Sequence, residues 1–302
     1  MFPIIPANSV TAASGNQEGI FGYGTTGSVT GVTNLVSNAG VVATDVAGVG
    51  TARYGVAACE YGEDKGIFGF GFVSGRLSMT NLVSNAGVVA TDTAGVGYAR
   101  YTPAACEYGG DKGIFGFGSN ASFLSMSNLV SNAGVVATDT AGVGTDRNNL
   151  AACEYGGDKG IFGFGYSGGG YVNALNMTNL VSNAGVVATD TAGVGTARAA
   201  PAACEYGGDK GIFGYGQTGG GYVSLTNLVS NAGVVATDTA GVGTARWALA
   251  ACEYGGDKGI FGFGKMAAHT AVTNLVSNAG VVASDTAGVG TARLGVAACS
   301  FN

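Results

Sequence analysis

The string NLVSNAGVVATD begins at Asn34, Asn81, Asn128, Asn179 and Asn227, and returns at Asn274 with Ser284 in place of Thr. The spacings are 47, 47, 51, 48 and 47 residues. Such a period marks an array of one supersecondary unit that buries its apolar faces against its neighbours. Eight residues after each Asp stands an Arg, and six further on a Cys, from Arg53 and Cys59 to Arg293 and Cys299. The array is cut out of phase. The N-terminal end carries only GIFGYG at Gly19–Gly24, whereas the C-terminal end stops at AACSFN, where other copies read AACEYG and then GIFGFG.

One unit reads as four short strands: AACEY, GIFGFG, the SMTNLV region and GVVATD. GGDKG and SNAG supply the tight turns, with glycines for positive φ. Pro is rare and no segment sustains a 3.6-residue apolar period, so helices are not expected. Four antiparallel strands in about 47 residues is the size of a propeller blade. An open row of blades would expose a sheet edge at each end. The fold class expected is therefore all-β: a six-bladed β-propeller of four-stranded antiparallel blades, closed by the C-terminal strand Arg293–Ser300 joining the N-terminal blade. Residues 16–302 form that single domain, and Met1–Gly15 is an arm or linker outside it. A β-solenoid would need capping ends rather than complementary half-repeats. A transmembrane barrel would need aromatic girdles and strands of about ten residues.

Of the 302 residues 57 are Gly, and only 11% are charged against about 25% in ordinary globular chains. The 46% apolar content suffices for a core. The net charge of −6 offers no basic stripe for phosphates, so nucleic acid is not an expected partner. No apolar run reaches the roughly 18 residues of a membrane helix, so no membrane insertion is expected. The start MFPIIPANSV lacks the basic residues of a signal peptide.

The order Arg, small-apolar strand, hairpin turn, GIFGFG resembles the kelch repeat over Gly19–Ser300. In that repeat an Arg precedes a strand and a hairpin leads to a strand ending in paired glycines. Here the glycines are spread into GFG, and the usual downstream Tyr and Trp are replaced by Leu35 and Val41 and their counterparts. The near-verbatim recurrence of KGIFGFG, NLVSNAGVVATD and GVGTAR is also similar to tandem repeats in tail-fibre-like proteins of marine tailed bacteriophages. That likeness implies a virion setting, with other virion proteins as further partners.

The recurrent charges read as structural. Asp45, Asp92, Asp139, Asp190, Asp238 and Asp285 recur with Arg53, Arg100, Arg147, Arg198, Arg246 and Arg293. They are expected to pin each blade, the Asp accepting from turn amides or from the Arg fork. One carboxylate per TDTAGVG loop is too few for Ca²⁺, so no metal is expected. Six cysteines at one repeat position, without CxxC spacing, suit neither bridges nor zinc and read as reduced apolar spacers between blades. Glu60, Glu107, Glu154, Glu205 and Glu253 read as solvated charges beside a turn, with a negative channel as the alternative. His269 is the only His, and GFGYSGGG lacks the lysine and helix of a phosphate loop, so neither an enzyme nor a cofactor is expected.

Against this uniform background two windows differ in every copy. One follows GFG (25–32, 72–79, 119–126, 166–177, 217–225 and 265–272); the other is the triplet after each Arg: YGV, YTP, NNL, AAP, WAL and LGV. In an up-and-down blade both lie at the same end. That face gathers Tyr54, Phe72, Arg76, Tyr101, Phe123, Asn148, Tyr166, Tyr171, Tyr222, Trp247 and His269 as candidate binding residues. Aromatic and small polar residues on loops above a rigid sheet suit recognition. The function expected is a non-enzymatic, virion-associated module that recognises a host-surface glycan or protein. A structural or assembly component, or an interaction scaffold without receptor binding, is the alternative.

Overall fold

The computed structural model describes residues 17–301. The arm expected over Met1–Gly15 lies outside the described residues. Within them the chain is all-β, apart from one 3₁₀ turn at Tyr171–Asn173.

The repeat builds antiparallel sheets of three strands. The AACEY segments form inner strands at Ala57–Tyr61, Ala104–Tyr108, Ala151–Tyr155, Ala202–Tyr206 and Ala250–Tyr254, with AACSF at Ala297–Phe301. KGIFG forms the middle strands Lys65–Gly69, Lys112–Gly116, Lys159–Gly163, Lys210–Gly214 and Lys258–Gly262, and EGIFG forms Glu18–Gly22. The outer strands are Thr33–Val36, Thr80–Val83, Ser127–Val130, Thr178–Val181, Thr226–Val229 and Thr273–Val276. Inner pairs with middle in the register Cys106↔Ile114, and middle with outer in the register Ile114↔Leu129. Gly109 and Gly110 take φ of 69° and 75°, left-handed positions in the three-residue hairpin loop that joins Tyr108 to Lys112.

The C-terminal strand Ala297–Phe301 pairs with the N-terminal Glu18–Gly22 in the same register, Cys299 opposite Ile20. The half-repeats at the two ends therefore complete one sheet. Each inner strand packs beside the next in sequence, and Ala297–Phe301 packs beside Ala57–Tyr61.

The fourth strand expected from GVVATD is not a regular strand. It touches the outer strand at two isolated bridges per repeat, such as Val83↔Val89 and Thr80↔Thr93. Two residues lie between the bridges on the outer strand and three on the facing segment, so that segment carries the extra residue of a bulge. The buried Asn81 side chain fills the gap, donating to the Ala90 carbonyl at 3.0 Å and to Asp92 at 2.9 Å.

The apolar cores lie between consecutive sheets. Cys59, Tyr61, Ile67 and Phe70 of one sheet pack with Phe115 and Val130 of the next. Two glycines of KGIFG make this approach possible. A Cβ on Gly113 would come within 2.5 Å of Cys59 Sγ, and one on Gly116 within 2.7 Å of the Phe162 ring. Each thiol thus sits over a glycine of the neighbouring sheet. The sheet that the two chain ends complete meets the following sheet through the same kinds of residue, with Tyr23, Cys299 and Phe301 beside Phe68 and Val83.

The six repeat arginines are completely buried. Arg53 donates through Nε to the Phe70 carbonyl at 2.8 Å and through Nη2 to Asn81 at 2.7 Å. Its Nη1 lies 3.9 Å from Asp92. The carboxylate it meets is thus Asp92, the Asp of the sheet that Arg53 itself leads into, and not Asp45 eight residues before it. Asp45 instead accepts from Thr291. Arg53 also lies 4.3 Å over the Tyr23 ring of the neighbouring sheet, and every repeat arginine has such a ring beneath it. A planar guanidinium that forks and stacks at once does what Lys cannot.

Candidate functional site

The residue after each repeat Arg bridges the first residue after GFG, joining the two variable windows. Tyr54 and Phe72 exchange backbone hydrogen bonds of 3.1 and 2.9 Å. Tyr101 pairs likewise with Ser119, Asn148 with Tyr166, Ala199 with Gln217, Trp247 with Lys265, and Leu294 with Thr25. Side chains of directly opposed residues stand side by side, so each repeat presents one variable pair.

A backbone collar holds these pairs in place. The middle residue of each triplet is left-handed, with φ of 63° at Gly55, 51° at Thr102, 50° at Asn149, 49° at Ala200, 52° at Ala248 and 65° at Gly295. Their amides link neighbouring repeats: Thr102 donates to Gly55, Gly55 to Gly295, Gly295 to Ala248, Ala248 to Ala200 and Ala200 to Asn149, at 2.7–3.1 Å. The links use only main-chain atoms, so they constrain the neighbouring side chains little.

On this collar the aromatic candidates form two groups. Phe72 lies 5.7 Å from both Tyr54 and Tyr101, with Arg76 over Phe72 and Tyr101 at 6.0 and 5.8 Å. Further round, Tyr166 touches Phe123 and Tyr171, both at 5.3 Å. Tyr171 meets Trp247 at 5.4 Å, and Tyr222 lies nearly parallel to Trp247, 6.4 Å away and 16° from its plane. Burial raises the pKa of the Tyr171 phenol, with further contributions from Tyr166, Tyr101 and Tyr222. His269 is half-buried and bridges Lys265 through its backbone, at the edge of this group.

The same layer holds polar atoms that are buried without a hydrogen-bond partner. They are Nδ2 and Oδ1 of Asn148, Oε1 of Gln217 and Nε1 of Trp247. Asn148 is fully enclosed. Each such group costs about 1–3 kcal/mol if nothing pairs with it. Gln217 was not singled out from the sequence. Its signal is its place as the first residue after GFG, opposite Ala199.

At the opposite end of the inner strands the glutamates converge. Ala58, Glu60 and their counterparts line a central cavity of about 50 Å³, room for no more than a few water-sized guests. Glu107 shares a side-chain hydrogen bond with Glu60, and Glu154 with Glu205. The sixth place is Ser300, whose hydroxyl donates to the Glu253 carbonyl at 3.0 Å and whose amide donates to Glu60 at 3.1 Å. These carboxyls are not the solvated turn charges expected: Glu253 is only 4% exposed. Burial, then the neighbouring carboxylates, pushes Glu107 well above the carboxylate range, Glu154 to about 9, Glu205 to about 8 and Glu253 to about 10. Among the described residues no group of three or more His, Cys, Asp or Glu is arranged to hold a metal ion. No helix among them is long and apolar enough to cross a membrane.

Compared with models of known families and with curated proteins, the chain matches none.

Proposed function

We propose that the chain is a six-bladed, kelch-like β-propeller closed by its C-terminal strand, and that it is a non-enzymatic binding module whose variable face recognises a glycan or protein. Repeated sheets, inner strands in sequential contact and the pairing of Ala297–Phe301 with Glu18–Gly22 support the architecture. One observation carries the function. Where the repeats diverge, they present two groups of touching aromatic rings on a backbone collar, whereas elsewhere they repeat almost verbatim. Such rings give large contact area at little entropic cost. The likeness to tail-fibre-like repeats makes the surface of a bacteriophage particle the setting in which to look for the ligand.

The test is ligand capture on a glycan array and on host-cell surfaces. Trp247→Ala is expected to weaken binding by ~2 kcal/mol or more, as for an interface hot spot. Folding should hardly change, because Ala199 occupies the equivalent place. Lys112→Ala, on the opposite face, is expected to bind normally. Loss with Lys112→Ala and not with Trp247→Ala would move recognition to the other face.

A second reading, an assembly component, is favoured by the outer edges. Val41, Val88, Val135, Val186, Val234 and Val281 are each 63–65% exposed there, and a repeated apolar rim suits packing into a larger particle. Serine at these positions, if it abolished association while leaving ligand capture intact, would show that the rim serves assembly.

A further inference from the structure

We infer that Asn148, Gln217 and Trp247 form the floor of a pocket for a sugar ring of the recognised glycan, closed in this structure by the loop that carries Tyr171. The inference rests on the variable face being the recognition surface, and it names the ligand class.

The first support is the placement of the unpartnered atoms. Asn148 is buried with both amide atoms free, and Gln217 Oε1 and Trp247 Nε1 are buried without partners in the two following repeats. The fold does not demand these residues. Places equivalent to Asn148 and Trp247 hold Tyr54, Tyr101, Ala199 and Leu294. The scaffold asparagine Asn81, by contrast, hydrogen-bonds through both amide atoms, and its counterpart Asn274 lacks a partner on Oδ1 only.

The second support is complementarity. The Asn148 amide both donates and accepts, Trp247 Nε1 only donates, and Gln217 Oε1 only accepts. Groups that can answer all three are hydroxyls, which donate and accept at once. A pocket with aromatic walls and a few placed polar groups is the usual form of a small-ligand site. The nearly parallel Trp247 and Tyr222 rings offer the apolar C–H face of a pyranose a surface to lie on.

The third support is the cover. The loop 166–177 accounts for the 51-residue spacing, four more than the common 47. It contains Gly168, Gly169 and Gly170 in succession, all left-handed, with φ of 115°, 64° and 81°. Directly after them the Tyr171–Asn173 turn sets the Tyr171 ring against Trp247. Three glycines give this turn a hinge. Lifting Tyr171 would uncover Trp247 and open a way to Asn148.

The experiment is calorimetric titration of the whole chain with the oligosaccharides retained on a glycan array, repeated for Asn148→Leu and Trp247→Phe. Asn148→Leu keeps the volume and removes the unpaired amide. It is expected to weaken oligosaccharide binding at least 10-fold while leaving the melting temperature unchanged or higher. Trp247→Phe keeps a ring and removes the N–H, and is expected to lose about 5-fold. Full-strength sugar binding by Asn148→Leu would overturn the inference. So would a chain that binds no sugar and gains only stability from Asn148→Leu, since water then fills the floor. If no sugar binds but Trp247→Ala abolishes capture of a protein, the sugar pocket falls and the recognition face stands. If neither ligand binds, both readings fall.

Discussion

The two ends of the inner strands solve one problem in opposite ways. Equivalent residues from several repeats meet at each end, and their polar groups must be satisfied. At the glutamate end side chains meet in pairs, Glu107 with Glu60 and Glu154 with Glu205, while Ser300 reaches the Glu253 carbonyl through its hydroxyl and Glu60 through its amide. At the other end the main chain forms the collar, through amide-to-carbonyl bonds such as Thr102 to Gly55 and Ala200 to Asn149. Side chains that satisfy each other change only where the replacement, as Ser300 does, makes its own hydrogen bonds. Side chains above a backbone collar can, and there the repeats differ. Diversity accumulates where the scaffold has been built without side chains.

The largest test of this contrast is to remove the strand that serves both ends. Deleting Arg293–Asn302 takes away Ser300 of the carboxyl ring, Gly295 of the collar and the partner of Glu18–Gly22. Loss of the cooperative thermal transition and aggregation in sedimentation are expected. A monomer with unchanged melting would break the closure model.

Next in size are the arginines that tie the sheets together. Arg147→Met keeps much of the volume but leaves Asn179 Oδ1 without its donor and takes the cation from beside Asp190. Removing one partner of a buried pair should cost about 3–5 kcal/mol, read by chemical denaturation. A cost under 1 kcal/mol would show that the fork is dispensable.

The carboxyl ring makes stability depend on pH. In the folded chain Glu205 keeps its proton up to about 8, Glu154 to about 9 and Glu253 to about 10, against an ordinary value of 4.5. Between these limits the folded state binds more protons than the unfolded one, so stability falls as pH rises. The contribution is fully present below about pH 4.5 and is lost by about pH 10. Glu253→Gln, which cannot ionise, is expected to flatten the alkaline part of this profile and to stabilise by ~2 kcal/mol at pH 9. An unchanged slope would mean that the ring is solvated. The variable face carries no such ring, so the profile of Trp247→Ala should match the parent.

The smallest effect sharpens the comparison at the collar itself. Ala200 and Ala248 are left-handed, a conformation that costs a residue with a Cβ about 1–2 kcal/mol. Ala200→Gly and Ala248→Gly are each expected to gain up to ~1 kcal/mol, since relief of strain exceeds the added freedom of the unfolded chain. Destabilisation would indicate that the methyl groups pack into the collar more than the φ angles strain it.

Much of the architecture was legible because each repeat states its local structure six times over. The hairpin at GGDKG, the strands AACEY and KGIFG and the complementary half-repeats all follow from pattern and turn chemistry. The fourth strand was misread because alternation in GVVATD gives no sign that Asn81 and Asp92 will pull a bulge into it. The glutamates were misread because a charge after a short strand is ordinarily solvated, and only convergence in space removes the water. The two variable windows were legible as one face. That Tyr171 reaches Trp247, past an intervening repeat, was not.

What the sequence determined alone is whatever one repeat decides for itself: the strands, the turns, the glycines and the positions free to vary. Tertiary structure decided what happens between repeats. Arg53 meets Asp92 rather than the nearer Asp45 in sequence, five glutamates share one cavity, and Tyr171 reaches Trp247 two repeats on. The reason is geometric. Spacing along the chain fixes each residue's height on its own strand, but only the docking of one sheet on the next sets which residues of equal height face each other.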